Sequence, residues 1–347
     1  MNMLKPNFKR KNILVLGGAG FIGSHLCAEL LKEHQVICLD NFISSSVENI
    51  RFLLQNSNFE FIKQDINDAW ELANLPELKK FNLRVQGIQE VYNLACPTSP
   101  KKFDNYVIET LLSNSQGLKN ILDVVLKYEA KFLHVSSSVV YGPRRGDGYF
   151  KEDDAGVVDF LSPRACYDEG KRFAETMVTT YGNYYKQNFK IARVFRTYGP
   201  KMMLNDGQML PDFIYNAMEG KDLVIYGDHD FQTSLCYVDD VVQGLIRLMD
   251  GEVAGPVNFG SSDSIRLSEV AEKIISLTGS TARIVYKPPL LFMTPLGLPD
   301  TTVAKEKLGW FPLVSLDDGI LKTLEYTKAH KPLLIAQFQE NLANDNR

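Results

Sequence analysis

Short apolar runs alternate along the first half of the chain with longer stretches of helical period. The runs "NILVLG" (12–17), "QVICLD" (35–40), "FEFIKQD" (59–65), "EVYNLA" (90–95), "KFLHVSS" (131–137) and "KIARVFR" (190–196) are compact and rich in β-branched residues. Gly, Asp, Asn or Ser often marks their ends, so each predicts a strand. Between them, 22–33, 106–128 and 166–186 carry apolar residues at helical spacing. Strands alternating with helices predict an α/β protein of the Rossmann type, a doubly wound parallel sheet with helices on both faces.

After about residue 197 Pro, Gly and polar residues become frequent, and helices are expected near 208–219, 239–250 and 267–278. This predicts a Rossmann domain over 1–196, a smaller mixed α/β C-terminal lobe over 197–335, and a polar, fraying tail over 336–347. With 347 residues, 45% hydrophobic and 23% charged, the chain has the make-up of a water-soluble globular protein. A net charge of −4 gives no reason to expect a nucleic-acid partner. Five scattered cysteines without a close pair argue against a disulfide framework, and neither they nor the five histidines have metal-site spacing. Cys166 beside Tyr167 reads as a packing residue. No secretory signal or membrane span is expected, which suits a reduced, cytoplasmic protein.

The first predicted strand ends in "GGAGFIG", with Gly17, Gly20 and Gly23 three residues apart. Glycine permits a tight turn and a close backbone approach to a pyrophosphate, and the following helix offers free N–H groups to the phosphates. The next strand ends in Asp40, twenty residues beyond Gly20. A carboxylate there accepts hydrogen bonds from an adenosine ribose and repels a 2′-phosphate, which favours NAD over NADP. Asp65 and Ile66, after the third strand, are expected beside the adenine.

Chemistry concentrates in "VSSSVVYG" (135–142) and "RACYDEGKR" (164–172). Tyr167 and Lys171 are four apart and share a helix face. A nearby ammonium favours the phenolate, so such a tyrosine can take a hydroxyl proton while hydride leaves the same carbon. A serine from the loop after the fifth strand can orient that hydroxyl. Tyr-x-x-x-Lys alone is common by chance; the preceding Rossmann half and the Ser-rich strand end give it weight.

With these segments in view, the chain resembles the extended short-chain dehydrogenase/reductases that act on nucleotide sugars, over nearly its full length from "GGAGFIG" to "KEKLGWFPLVSLDDGI". Within them it is most similar to UDP-glucuronate decarboxylases (UDP-xylose synthases), through "NLACPTSP" (93–100), "SPRACYDEGKR" (162–172), "NDGQMLPDFI" (205–214) and "CYVDD" (236–240). The resemblance implies NAD held at Gly17, Gly20, Phe21, Ile22, Gly23, Asp40, Asn41, Leu94 and Ala95, and a catalytic set of Ser137, Tyr167 and Lys171. Tyr167 and Lys171 also border the cofactor. Pro97, Ser138, Arg164, Arg196 and Thr233 are the corresponding substrate-side candidates. The implied reaction oxidises sugar C4, loses the C6 carboxylate as carbon dioxide from the resulting β-keto acid, and returns the hydride. The substrate is a nucleotide sugar, UDP-linked in the resembled family. Helices 106–128 and 167–186 in that superfamily also pair across a two-fold axis, so a homodimer is expected.

Several positions depart from the decarboxylase pattern. Its Glu after the loop serine is Val139 here, which cannot hold or accept a proton. The sugar 4,6-dehydratases need an Asp-Glu pair where this chain has Ser138-Val139. The 4-epimerases place small or neutral residues there, and "SSSVVYG" resembles their loop better. Family arginines are replaced by Thr233 and Leu298, and a family asparagine by Arg196. Decarboxylation needs no base once the keto acid exists, so Val139 leaves both decarboxylation and C4 epimerisation, for example of UDP-glucuronate, open. A net C4 dehydrogenase and a non-enzymatic NAD-binding protein are further alternatives.

Overall fold

Alternate residues of the first strand, β1 (Asn12–Leu16), enter two separate cores. Ile13 and Val15 join one, Leu14 and Leu16 the other. The next strand, β2 (Gln35–Asp40), divides likewise, Val36 and Cys38 from Ile37 and Leu39. A strand buried on both faces reads as an unbroken apolar run, the sequence signature of a covered parallel sheet. The computed structural model describes residues 9–98, 105–146, 148–204, 207–253, 255–289 and 296–345. Ser99 and Pro100 of "NLACPTSP" and Asn205 and Asp206 of "NDGQMLPDFI" lie outside these.

With β3 (Phe59–Lys63), β4 (Glu90–Asn93), β5 (Lys131–Ser137), β6 (Lys190–Val194) and β7 (Gly255–Phe259), the sheet is seven-stranded and all-parallel, in the order β7-β6-β5-β4-β1-β2-β3. Helix α1 (Phe21–Leu30) covers one face through Leu26, Cys27 and Leu30. The expected helix over 106–128 is two helices, α2 (Val107–Ser113) and α3 (Gln116–Tyr128). They part at Asn114, whose amide donates to the Thr110 carbonyl at 2.8 Å, and Ser115, whose hydroxyl donates to the Leu111 carbonyl at 2.9 Å. Side chains bonding back to the backbone compete there with helix continuation. Helix α3 covers the other face with Leu118, Ile121, Leu122 and Val125, each burial contributing about 1.5–3 kcal/mol. Helix α4 (Ala165–Tyr185) joins it there through Ala174 and Val178.

The expected later helices are α5 (Met209–Met218), α6 (Val238–Asp250) and α7 (Leu267–Thr278). The chain beyond 197 also returns to the sheet, because β7 pairs with β6 over Gly255–Phe259. A short parallel pair, Leu223–Tyr226 with Ile284–Lys287, belongs to the C-terminal lobe. Helix α8 (Thr302–Leu308) precedes α9 (Leu316–Asp345). The expected fraying of the tail gives way to helix: α9 runs through Pro332 as far as Asp345. Within this stretch the Gln337 amide donates to Ser46 Oγ at 2.9 Å.

Candidate active site

The parallel strands deliver their C-terminal ends to one edge of the sheet, and a cavity of ≈ 990 Å³ opens there. Ligands of doubly wound sheets occupy this crevice. Gly17 has φ +74°, and a Cβ on it would lie 2.8 Å from the Ala95 nitrogen. A Cβ on Gly23 would lie 2.2 Å from the Gly17 carbonyl oxygen. The first glycine therefore makes the turn, and the last lets the helix seat against it. No side chain caps α1, whose first-turn residues Phe21, Ile22 and Gly23 line the cavity. That end offers backbone donors and a positive dipole to an anion.

Asp40 ends β2 beside this turn. Its Oδ2 accepts from the Ala19 N–H at 3.0 Å, and its Oδ1 from the Phe42 N–H at 2.9 Å and the Ser45 hydroxyl at 2.6 Å. Burial pushes its carboxyl above the usual carboxylate range, while these hydrogen bonds pull it back. Asn41 donates to Asp65 Oδ2 at 2.8 Å, which joins the ends of β2 and β3. Leu94 and Ala95 follow β4, anchored by Leu94 N–H to the Leu16 carbonyl at 2.9 Å and Ala95 N–H to Asn93 Oδ1 at 3.1 Å. Asn41, Asp65, Ile66, Leu94 and Ala95 all line the cavity with the glycines. The turn, the open helix end and the carboxylate at the end of β2 suit an NAD diphosphate and adenosine ribose.

Further along the same edge, Ser137 ends β5 and caps the short turn Ser138–Tyr141. Its hydroxyl is hydrogen-bonded to the Tyr167 phenol, and Lys171 lies one turn further along α4. The Lys171 Nζ donates to the Val135 carbonyl at 2.9 Å. The sequence suggests that Lys171 lowers the Tyr167 pKa, but here burial dominates. It pushes the phenol well above its ordinary value, with Cys96 adding to this and the Ser137 bond and Arg164 opposing. Burial also lowers the lysine, partly offset by Cys96 and Glu175. Burial thus favours the neutral phenol, and a cationic group beside it is what would favour the phenolate. Val139 packs on Tyr167 with Cys96, Cys166 and Leu296 around them, so the loop offers an apolar wall where an acid would otherwise stand.

Pro97, Ser138, Arg164 and Arg196 line the same cavity as Tyr167. Arg164 pairs with Asp168 at 3.2 Å. Thr233 does not line it: the residue is buried in a two-residue antiparallel ladder, Gln232–Thr233 with Ile265–Arg266. Leu298 is likewise buried in the pair Leu298–Pro299 with Tyr149–Phe150. Among the described residues no group of His, Cys, Asp and Glu is placed to hold a metal ion.

Sequence reasoning missed a support behind the Ser137–Tyr141 loop. Ser136 donates to Glu175 Oε1 at 2.5 Å, Arg193 clasps Glu175 at 2.8 Å, and Arg193 Nη1 donates to the Tyr141 hydroxyl at 2.8 Å. The available signal was Glu175, four residues after Lys171 on the same helix face. Asn114 was missed as well; its amide donates to Cys96 Sγ at 3.2 Å, and the absent side chain at Gly170 leaves room for it.

Comparison with known proteins agrees with this geometry. Residues 13–260 match the NAD dependent epimerase/dehydratase family. UDP-glucuronic acid decarboxylase 1 of Danio rerio is 36% identical over 318 residues, 91% of this chain and 72% of that protein. UDP-glucuronic acid decarboxylase 5 of Arabidopsis thaliana is 35% identical over 314 residues, 89% of this chain and 86% of that one. Among solved structures, UDP-glucuronic acid 4-epimerase from Bacillus cereus, in complex with UDP-glucuronic acid and NAD, superposes with a TM-score of 0.79 at 28% identity, covering 92% of this chain and 99% of that one. UDP-glucose 4-epimerase from Thermotoga maritima, with UDP-glucose, gives a TM-score of 0.80 at 28% identity over the same shares, 92% and 99%. A family match across most of the chain, on a cavity built for a dinucleotide, leads to one assignment: the protein belongs to the NAD dependent epimerase/dehydratase family.

Proposed function

We propose that this protein is an NAD-dependent UDP-glucuronate decarboxylase that forms UDP-xylose. The observation that carries the reading is Ser137–Tyr167–Lys171 assembled on the cavity wall next to the glycine turn, in a chain whose curated relatives are UDP-glucuronic acid decarboxylases. NAD bound at the glycine turn supplies a reversible hydride acceptor. Tyr167 takes the proton of the sugar C4 hydroxyl, Ser137 orients that hydroxyl, and Lys171 stabilises the phenolate. A ketone at C4 makes the C6 carboxylate that of a β-keto acid, and carbon dioxide leaves with its bonding electrons retained on the sugar. The C5 carbanion, delocalised onto O4 as an enolate, takes a proton from solvent water, and the proton of Tyr167 returns to O4 as C4 is reduced. Residues 1–196 hold the cofactor in this reading, and 197–335 mainly the nucleotide sugar.

A second reading, C4 epimerisation of UDP-glucuronate, is favoured by Val139. Its apolar wall resembles the epimerase loop, and an epimerase needs only hydride out, rotation of the keto sugar and hydride back. Proton NMR of the protein with NAD and UDP-glucuronate separates the two. UDP-xylose with carbon dioxide is the expected outcome; UDP-galacturonate with the carboxylate retained makes it an epimerase, and no change over time removes both.

The assembly we propose is a homodimer through α2 and α4. Helix α2 presents Ile108, Leu111 and Leu112 to solvent, and α4, packed beside it, exposes Phe173 and Tyr184. Apolar side chains at i, i+3 and i+4 on an outer helix face suit a second copy of the same pair. We place the protein in the cytoplasm, a reading supported by its five unpaired cysteines. No described helix is long and apolar enough to cross a membrane.

A further inference from the structure

Arg196 leaves the sheet two residues after Val194, the register partner of Ser137, and lines the cavity. Its guanidinium carbon lies 5.8 Å from the centre of the Phe231 ring, itself a cavity-lining residue. Arg144 approaches the same ring, at 5.5 Å, and donates to the Gln232 carbonyl at 2.6 Å. Arg164, the third cation nearby, has Asp168. Among the described residues no carboxylate stands within ion-pair distance of Arg196 or Arg144.

Two guanidinium groups gathered at one aromatic ring, without a counter-charge, repel each other and lose hydration. Burial, then the charges of Arg144 and Arg164, lower the Arg196 pKa to about 10. Ordinary surface arginines escape such a position by turning to water; this one is held against the cavity by the ring. An anionic ligand relieves both costs, and a guanidinium fork matches phosphate or carboxylate oxygens in pairs.

We infer that Arg196, seated on Phe231 and reinforced by Arg144, is an oxyanion subsite for the substrate. The inference rests on the nucleotide-sugar reading, since its ligand is the diphosphate or the uronate carboxylate of that molecule. It also accounts for charge at this wall although Thr233 is buried elsewhere: the positive groups come from the exit of β6 and from the loop after Gly142.

The test is calorimetric titration of the NAD-loaded Tyr167→Phe protein, in which turnover is blocked, with UDP, UDP-glucose and UDP-glucuronate, with and without Arg196→Gln. If the anion is the diphosphate, all three ligands weaken by about tenfold or more in the variant. If it is the carboxylate, UDP-glucuronate alone weakens by that factor. Unchanged affinity for all three, with NAD retention and melting temperature intact, overturns the subsite. Should Arg196→Gln fail to fold, Arg196→Lys gives the same comparison, since it keeps the charge and loses the fork. Affinity is read on the turnover-blocked protein and carbon dioxide release on the wild type, so binding of UDP-glucuronate without carbon dioxide release by the wild type refutes the decarboxylase reading and leaves the subsite standing.

Discussion

Gly17 occupies a backbone region that L side chains rarely adopt, and its missing Cβ admits the chain that follows β4. Gly17→Ala is therefore expected to lower NAD affinity by at least about tenfold, through strain and a displaced Ala95, in a fluorescence titration. Tyr167→Phe keeps the packing on Val139 and deletes the proton carrier, so turnover should fall by about a hundredfold or more with nucleotide-sugar affinity preserved. Val139 was legible as a departure, but not its surroundings: the valine is 3% exposed and walled by Tyr167, Cys96, Cys166 and Leu296. These come from three different segments, and no local pattern announces that they meet. Val139→Glu would bring a carboxylate into that apolar pocket. The expected result is a lower melting temperature, and progress curves of carbon dioxide release show whether the added acid also speeds the reaction.

Among the elements, strands and helices were readable because burial on both sheet faces writes apolar runs, and one-sided burial writes helical periods. The division of 106–128 was not read, because Asn114 and Ser115 sit inside a continuous helical period and only their bonds back to the Thr110 and Leu111 carbonyls mark the break. Thr233 was placed from resemblance alone, and its two-residue ladder turns it away from the cavity. Helix α1 meets the segment around Lys201, whose Nζ donates to the Asn49 carbonyl at 2.9 Å. Burial brings the Lys201 pKa down to about 8. Between about pH 8 and the ordinary lysine value of 10.5, the unfolded chain keeps a proton that the folded chain has released. Lys201 therefore adds to stability as pH rises through that window and costs stability below it. Lys201→Met should remove this rise, seen as a flatter difference in melting temperature against pH from 7.5 to 10 for the cofactor-free protein.

At the scale of the whole molecule, the apolar face of α2 and α4 is where the proposed second copy would dock. Ile108→Glu with Phe173→Glu is expected to convert a dimer into a monomer in sedimentation equilibrium, because two charges per copy would be desolvated at the shared face. Both side chains are at least half exposed, at 60% and 50%, so the fold of each copy should survive the change.

The order of the sheet bears on how the chain is made. Strand β6 carries the segment to Arg196, yet its outer neighbour β7 lies some sixty residues further on, at Gly255–Phe259. During synthesis the cofactor-binding half emerges first, with β6 as a bare edge of unpaired N–H and C=O groups. Such an edge recruits other strands. A nascent or truncated chain ending anywhere between β6 and β7 should therefore be prone to aggregation even though the glycines of the first turn and Ser137, Tyr167 and Lys171 are already present, and its sheet closes only when Phe259 has cleared the ribosome.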